Sequence, residues 1–300
     1  MRIVSLLPSA TEICFALGLE NELVGVTHEC DYPAAASLKP KITRSKASED
    51  LSSSEIDLLV RSQLDETGSI YALDLEALAN LKPDLILTQR LCTVCAVSFD
   101  YVAEQAAKLT TKPNVVNLEP RTLDEVFDSI VQVGELAGSS NEAREYVASL
   151  KKRAEKIAVE VKNFDTHSVL FLEWADPPFA SGHWIPELIE RAGGANTKAF
   201  KHFPSRQISW QDVNDAKAAI IVLAECGFAV ARQMQDAATL LANLTYAPKE
   251  IWIADGSQYF SRPGPRLVES LQILAGIFHP EVRELYLAPF LSSGEVRRFL

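Results

Sequence analysis

The chain has 300 residues, an apolar share of 47% and a formal net charge of −11 at pH 7. That length is sufficient for two α/β lobes of roughly 120–140 residues each. The acidic balance and the lack of a Lys/Arg-rich run disfavour a nucleic-acid partner. No apolar run approaches the ~18 residues that a membrane-spanning helix requires, so we expect no membrane insertion.

The chain begins with a short apolar segment, residues 2–7, that ends at Pro8. A secretory signal has a longer apolar core and a small-residue cleavage site. The segment therefore predicts the first buried strand of the fold. On this basis we expect a cytoplasmic protein, or a periplasmic one if an upstream signal has been removed.

The N-terminal part alternates between strand and helix patterns. Apolar runs predict strands, and periodic apolar residues predict helices, the first behind a capping-box sequence at Ser9–Glu12. The predicted strands are 2–7, 23–27, 83–89 and 114–118, and the predicted helices are 9–18, 52–62, 73–80, 99–109 and 122–137.

Residues 139–163 predict one long helix that contains neither Gly nor Pro. Its apolar residues recur at spacings of three and four, which places them on one helix face. These residues are Ala143, Val147, Leu150, Ala154, Ile157 and Val161. We therefore predict an N-terminal lobe (1–138), a connecting backbone helix (139–163) and a C-terminal lobe (164–300).

The C-terminal part repeats the alternation. The predicted strands are 168–173, 218–224 and 250–255, and the predicted helices are 186–191, 230–243 and 265–278. Strands that alternate with helices indicate an α/β fold with a mainly parallel sheet in each lobe, flanked by helices. Ligands of such sheets gather at the carboxyl ends of the strands, so we expect the loops there to line one cleft between the lobes.

Two segments with thiols are candidates for a metal site. Cys92 and Cys95 form a C-x-x-C at a strand-to-helix turn, and His28 and Cys30 follow a neighbouring strand. Thiolates and imidazole suit zinc, iron or another soft metal, and a C-x-x-C at a helix N-terminus also suits a redox pair. The alternative is that these residues are buried structural thiols, because free Cys is often buried.

A second candidate region surrounds the loop 176–179. Glu173 and Trp174 precede this loop, and His183 and Trp184 follow it. Aromatic rings with one acid and one His suit a wall for a ring-containing ligand. Two alternatives stay open: Trp184 packs in the lobe core, and His183 donates a hydrogen bond instead of binding a metal.

Five arginines fall in predicted loops: Arg44, Arg90, Arg121, Arg206 and Arg262. If several of them face the cleft, they imply an anionic ligand group, because the guanidinium fork binds carboxylate or phosphate with two hydrogen bonds. The alternative is that they are surface charges.

Six motifs occur along the chain: VSLLPSATE (4–12), DYP (31–33), LKPDLI (81–86), PPFASG (177–182), AGGAN (192–196) and YFSRPGPR (259–266). Together and in this order they resemble the binding proteins of ABC importers for vitamin B12, haem and iron–siderophores, with the cobalamin-binding branch most similar. The resemblance implies two α/β lobes joined by one long backbone helix.

The resemblance also implies roles for individual residues. Tyr32 lies where the cobalamin branch stacks an aromatic ring on the corrinoid. Phe179 and Tyr259, the latter in a Tyr-Phe pair with Phe260, lie at further aromatic contacts, and Arg262 lies at a pocket arginine.

Glu76 and Glu190 match the two surface acids that dock on the transporter permease, which is the candidate protein partner. The sequence departs from the branch at Gln89, which replaces a pocket Trp, at Gln258, which replaces an acid, and in an apparent insertion at about 44–69.

We therefore expect a protein that binds a small cofactor-like or metal-chelate ligand without turning it over. A cobalamin-type corrinoid is the first choice, and haem or an iron–siderophore follows. The departures leave a second hypothesis, a cytoplasmic metal-dependent enzyme or metal-binding protein that uses the Cys/His group. A third is the receptor of an importer, exported by a signal that this sequence does not contain.

Overall fold

The computed structural model describes residues 1–45, 51–67, 71–90 and 99–300. Its residues pack into two compact units. Unit 1 contains Met1–Pro120 and Phe127–Val147, and unit 2 contains Arg121–Val126 and Ala148–Leu300.

The first elements include every strand and helix predicted up to residue 163, and two short strands, Thr43–Ser45 and Tyr71–Leu73, that were not predicted. They are β1 (Ile3–Ser5), α1 (Pro8–Ala16), β2 (Leu23–Gly25), β3 (Thr43–Ser45), α2 (Ser53–Thr67), β4 (Tyr71–Leu73), α3 (Leu75–Leu81), β5 (Leu85–Thr88), α4 (Phe99–Lys108), β6 (Asn114–Asn117), α5 (Leu123–Ala137) and α6 (Ser140–Val161).

The described residues of unit 1 form a four-stranded parallel sheet in the order β2-β1-β5-β6, and an antiparallel pair, β3 and β4, beside it. Every residue of β1 and β5 is buried. On one face Val4 and Ile86 pack with Leu78 of α3 and Val102 of α4. This burial explains why both strands consist almost entirely of apolar residues.

The elements of unit 2 follow α6. They are β7 (His167–Ala175), β8 (Pro178–Ala180), β9 (Gly182–His183), α7 (Ile185–Arg191), β10 (Gly194–Asn196), β11 (Phe200–Lys201), β12 (Arg206–Gln207), α8 (Trp210–Ala216), β13 (Ile220–Leu223), α9 (Val230–Asn243), β14 (Glu250–Ala254), α10 (Leu267–Phe278), α11 (Arg283–Tyr286), α12 (Ala288–Ser293) and β15 (Val296–Arg298).

The main sheet of unit 2 has seven strands among the described residues, in the order β12-β8-β7-β13-β14-β15 with β10 also beside β7. Strands β10, β7, β13 and β14 are parallel, whereas β8, β12 and β15 are antiparallel to their neighbours. The predicted mainly parallel core is confirmed. The short antiparallel strands were not predicted, because two or three residues carry no periodic pattern.

Apolar residues from strands and helices form the core of unit 2. Leu170, Ile221 and Ile251 from three adjacent strands pack with Ala237 and Leu240 of α9. In the described parts of the chain, no helix has both the length and the apolar composition needed to cross a membrane.

Helix α6 confirms the long helix predicted at 139–163, with ends one and two residues shorter. All six residues of its predicted apolar stripe are buried. Its first residues, up to Val147, pack in unit 1, and those from Ala148 onward pack in unit 2. The stripe thus supplies core residues to both units.

Helix α5 also contributes to both units, which the sequence did not predict. The backbone N–H of Leu123 donates to the carboxylate of Glu187 (3.1 Å), and Asp124 lies 3.9 Å from the guanidinium of Arg191. These contacts place the first turn of α5 with α7, and residues 121–126 belong to unit 2. The predicted boundary at residue 138 assigns residues 121–126 to the N-terminal lobe, whereas they pack in unit 2. The other parts of the predicted division into two lobes and a connecting helix stay a prediction.

The start of α1 differs from the predicted capping box. The helix begins at Pro8, the preceding Leu7 is extended, and no described side chain caps it. Proline suits the first helical position, because it has no N–H to satisfy and its φ is already helical. The capping box predicted at Ser9 is therefore wrong, and one that the sequence reading missed occurs at α8, between Ser209 and Asp212.

We expect Gly256→Ala to destabilise unit 2. A Cβ at Gly256 would lie 2.1 Å from the carbonyl oxygen of Glu225 and 2.6 Å from the carbonyl carbon of Ala224. These are backbone atoms, which cannot move aside by a change of side-chain rotamer. The loops after β13 and β14 would therefore have to separate. Overpacking of this kind costs about 1–3 kcal/mol in the free energy of unfolding, which urea denaturation measures.

Gly227→Asn is the matched control in the neighbouring loop. Gly227 has open space around its Cβ position and a φ of +82°, a conformation that Asn tolerates better than most residues. We expect the smaller loss of stability for Gly227→Asn. Equal urea midpoints for the two variants would contradict the crowding argument.

Candidate functional site

The candidates lie mainly where the parallel strands of each unit end. In unit 1, His28 follows β2 and Gln89 follows β5, whereas in unit 2 Trp174 lies near the end of β7 and Glu225 and Asp255 follow β13 and β14. The carboxyl ends of parallel strands meet at one edge of a sheet, where ligands of α/β proteins bind. Each unit therefore offers one such edge.

In unit 1, His28 is fixed by a small polar group. Its backbone N–H donates to the hydroxyl of Thr43 (3.1 Å), and its Nδ1 lies 2.8 Å from the same oxygen. The ring is tilted against Tyr71, whose hydroxyl donates to Glu29 (2.7 Å). Burial lowers the pKa of His28, Glu29 opposes this shift and Lys41 adds to it. The imidazole is therefore neutral at pH 7.

Cys30 is a buried thiol. Its Sγ lies 3.1 Å from the hydroxyl of Thr11 and 3.4 Å from that of Thr27, and burial raises its pKa. Within the described ranges, no group of three or more His, Cys, Asp or Glu is placed to hold a metal ion. Cys92 and Cys95 lie outside the described residues, so the predicted Cys/His metal group stays a prediction.

The other candidates of unit 1 differ in exposure. Tyr32 is 46% exposed, and Arg44 on β3 is also exposed. Gln89 is buried. Arg90 forms an ion pair with Asp100, so its charge is compensated inside unit 1.

In unit 2, Trp174 and Phe228 form a partly exposed aromatic pair, which we call the aromatic platform. Their ring centroids are 5.1 Å apart and their planes differ by 31°. The guanidinium of Arg232 lies 4.7 Å from the centroid of Phe228 and forms an ion pair with Asp236 (3.0 Å). Phe179 lies opposite Trp174 in the β7–β8 register, and directly opposed residues share one sheet face.

A buried acid lies next to this platform. The Glu225 carboxylate group accepts a hydrogen bond from the backbone N–H of Ala175 (3.0 Å) and has no exposed surface. Burial, together with the negative charge of Asp236, raises the pKa of Glu225 to about 9, and Arg232 opposes this shift. Glu225 is therefore protonated at neutral pH.

Gln233 of α9 is also fully buried and uses its whole amide. Its oxygen accepts from the backbone N–H of Glu225 (2.9 Å). Its nitrogen donates to the carbonyl oxygens of Phe228 (2.9 Å) and Ala254 (2.8 Å). One side chain thus joins the loop after β13 to the end of β14.

Two further candidates flank the 176–179 loop in the sequence: Glu173 precedes it and His183 follows it. Glu173 accepts from the backbone N–H of Gly182 (2.9 Å), and burial raises its pKa to about 7. His183 has a φ of +50°, and burial lowers its pKa to about 4, to which the charge of Arg121 contributes. At pH 7 the imidazole is neutral, whereas Glu173 is close to its titration midpoint.

Four further candidates are buried in unit 2: Trp184, Tyr259, Phe260 and Arg262. The indole N–H of Trp184 donates to the carbonyl oxygen of Phe260 (3.0 Å), and the ring of Tyr259 packs edge-on against Phe290. For Trp184 the structure supports the core-packing alternative. The ligand contacts predicted for these residues stay predictions.

The two acids predicted to dock on a permease are exposed. Glu76 lies in the first turn of α3, where an acid is favourable because of the helix dipole. Glu190 lies in the last turn of α7 and forms an ion pair with Lys201. The structure gives each a local electrostatic role, and their docking role stays a prediction.

Sequence reasoning missed the residues that surround the platform, namely Arg232, Gln233 and Asp236. The Arg232–Asp236 spacing of four residues at the start of α9, just after Phe228, was a readable signal of an ion pair. The contact between Asp236 of α9 and Glu225, which lies in the loop after β13, has no signature in the local sequence.

The chain belongs to the periplasmic binding protein family, because a family model described as "Periplasmic binding protein" matches residues 3–247. A vitamin B12-binding protein of Vibrio cholerae serotype O1 is 23% identical over 278 residues, which cover 90% of this chain and 86% of that protein. An uncharacterized ABC transporter substrate-binding lipoprotein of Bacillus subtilis is 25% identical over 292 residues, which cover 93% and 80%. A periplasmic heme binding protein from Pseudomonas aeruginosa has a similar fold, with a TM-score of 0.71, 18% identity and coverage of 93% and 92%.

The predicted family and the predicted α/β fold class are therefore confirmed. Members of this family bind small ligands, so the chain is a binding protein and not an enzyme. The hypothesis of a metal-dependent enzyme has no support among these relatives.

We expect Glu225→Gln to change how stability depends on pH. Burial and Asp236 raise the pKa of Glu225 to about 9 in the folded chain, above the ordinary value of 4.5. The unfolded chain therefore binds fewer protons between these two pH values, and the free energy of unfolding falls as pH rises through that window. Gln does not titrate, so the variant should gain stability relative to the parent between pH 5 and pH 9, as measured by urea unfolding.

Glu190→Gln controls for the loss of one acid at an exposed position. We expect the free energy of unfolding of Glu190→Gln to change with pH over this range more nearly as that of the parent does. Parallel curves for Glu225→Gln as well would show that Glu225 is ionised in the folded protein.

Proposed function

We propose that this chain is the substrate-binding protein of an ABC importer and that it binds a cofactor-like or metal-chelate ligand. A cobalamin-type corrinoid is the first candidate, followed by haem or an iron–siderophore. The relatives support this proposal, since they include proteins named for vitamin B12 and for heme.

The aromatic platform carries the proposal. Trp174 and Phe228 are in tilted ring contact, are partly exposed, and lie at the sheet edge where ligands of α/β proteins bind. Aromatic faces gain from apolar contact and from stacking with another flat ring system. Tyr32, 46% exposed after β2, offers a further ring at the corresponding edge of unit 1.

The charges near these edges favour one of the candidate ligands over another. Arg90 is paired with Asp100, and Arg232 with Asp236. Each of these arginines thus has an acid partner, and a carboxylate of the ligand would have to compete with that acid. A corrinoid with a rim of uncharged amides therefore fits better than a porphyrin that carries carboxylates.

The importer permease is the proposed protein partner, and Glu76 and Glu190 are its proposed contacts. Both side chains are exposed. Exposed acids on rigid helices suit docking to basic residues, because such charges increase the rate and the specificity of association.

The cellular location is part of the proposal. The relatives described as periplasmic or as a lipoprotein favour a location outside the cytoplasmic membrane, in contrast to the cytoplasmic expectation. Strand β1, Ile3–Ser5, is fully buried in the sheet, so this segment belongs to the fold. Fractionation of the source cells, with immunodetection of the chain, distinguishes the two locations.

We expect the purified protein to bind cyanocobalamin saturably, with a change in the visible spectrum and quenching of tryptophan fluorescence, and to bind haemin less tightly. Trp174→Ala should weaken the affinity for cyanocobalamin at least about thirtyfold, since a central aromatic contact contributes roughly 2 kcal/mol or more. Titration by absorbance measures both values.

Leu241→Ala is the control for loss of an exposed apolar side chain. Leu241 is 41% exposed near the C-terminal end of α9, away from the carboxyl ends of the strands. The Leu241→Ala variant should bind cyanocobalamin with the affinity of the parent. The proposal is wrong if neither ligand binds saturably, or if the Trp174 and Leu241 variants have the same affinity.

A further inference from the structure

We propose that Glu225 and Gln233 are positioning residues, which join the ends of three neighbouring strands and thereby hold Trp174 and Phe228 in their tilted ring contact. The inference rests on the proposed function for the ligand that the platform binds. Its geometric part concerns the ligand-free protein and is measured separately.

The first step is the position of Gln233. Its amide bonds reach the loop after β13 at Glu225 and Phe228, and the end of β14 at Ala254. All three partners are backbone groups. The carbonyl of Phe228 is among them, so Gln233 fixes the main chain of the residue that carries one ring of the platform.

The second step is the position of Glu225. Its carboxyl group accepts from the backbone N–H of Ala175, the residue directly after Trp174. The bond connects the end of β7 to the end of β13. Glu225 thus fixes the main chain beside the other ring of the platform.

The third step is that these contacts close a ring. The ring of Trp174 contacts that of Phe228, Phe228 lies under the guanidinium of Arg232, and Arg232 pairs with Asp236. Asp236 is a charged neighbour of Glu225, and Glu225 holds Ala175. A shift of either ring therefore disturbs several contacts at once.

Protonation of Glu225 makes this arrangement stable. The charged groups that face it, Asp236 and Arg232, both come from α9, and β7 contributes the N–H of Ala175. A second carboxylate next to Asp236 inside the protein would be costly, whereas a neutral carboxyl group is not. An amide has nearly the same shape as a neutral carboxyl group, has no charge, and also offers an oxygen that accepts and a group that donates, so Gln is the conservative replacement at this position.

A second buried acid of the same sheet serves as a comparison. Glu250, at the start of β14, accepts from the indole of Trp252 (2.7 Å) and pairs with Arg283 (3.4 Å) and Arg298 (3.6 Å). It lies at the amino end of its strand, opposite to the platform. Its loss should lower the stability of unit 2 without moving Trp174.

The test uses Glu225→Ala, Glu225→Gln, Gln233→Leu and Glu250→Ala in the full chain. Each variant is made with and without Trp174→Phe, so that the difference in acrylamide quenching reports Trp174 alone. Affinity for cyanocobalamin and the urea midpoint are measured on the same samples.

We expect Glu225→Ala and Gln233→Leu to increase the quenching of Trp174 in the absence of ligand. Both should weaken cyanocobalamin binding about tenfold or more, which corresponds to roughly 1.4 kcal/mol. Glu225→Gln should leave both the quenching of Trp174 and the affinity for cyanocobalamin at the values of the parent. Glu250→Ala should lower the urea midpoint while leaving Trp174 quenching and affinity unchanged.

The inference is overturned if Trp174 quenching is the same in Glu225→Ala, Gln233→Leu and the parent, or if Glu250→Ala changes it equally. If Glu225→Ala does not fold, Glu225→Asp, which is one methylene shorter, replaces it. If no variant and no parent sample binds cyanocobalamin, the proposed ligand fails, and the quenching data still decide whether Glu225 and Gln233 position the platform.

Discussion

Parallel pairing of buried strands is the constraint on which the rest of the structure depends. In unit 2, β13 pairs on both sides with parallel neighbours, and all four of its residues, Ile220–Leu223, are buried. Strands of this kind are mostly apolar on both faces. Most polar side chains of the candidate site therefore lie at the ends of the strands or in the loops after them, and these ends meet at one edge. The location of the candidate site follows from the burial of the sheet.

This dependence explains what could be predicted from the sequence. Strand β13 and helix α6 have strong local patterns, an apolar run and an apolar stripe, and both were predicted within a few residues. The edge residues were predictable as a class, because they follow recognisable strands, and Trp174 was among them. The contact between Glu225 and Asp236 was not, since it joins a loop to the middle of a helix and leaves no periodic signal. The burial of Trp184 was also left open, because a Trp in a loop suits a ligand wall and a core equally well.

Two of the ionisable groups at the unit 2 edge are compensated or neutral. Arg232 is neutralised by Asp236, and Glu225 is protonated because it is buried next to that carboxylate. An unpaired charge at this depth would cost several kcal/mol. The platform is therefore bordered by hydrogen-bonding groups and a compensated ion pair, which is why the proposed function favours an uncharged, flat ligand face over an anion.

The same arrangement bears on the free energy of binding. A ligand that orders loose side chains loses about 0.5–1.5 kcal/mol of its binding free energy for each one. Trp174 and Phe228 are already in contact, and the main chain beside them is held by Ala175–Glu225 and Phe228–Gln233 hydrogen bonds. Under the proposed function, little of this ordering cost would remain for the ligand to meet. A rigid surface cannot adapt to many shapes, however, so the network that favours affinity also favours selectivity. Under the proposed function, the buried polar residues Glu225 and Gln233 would thereby influence which ligand the chain prefers.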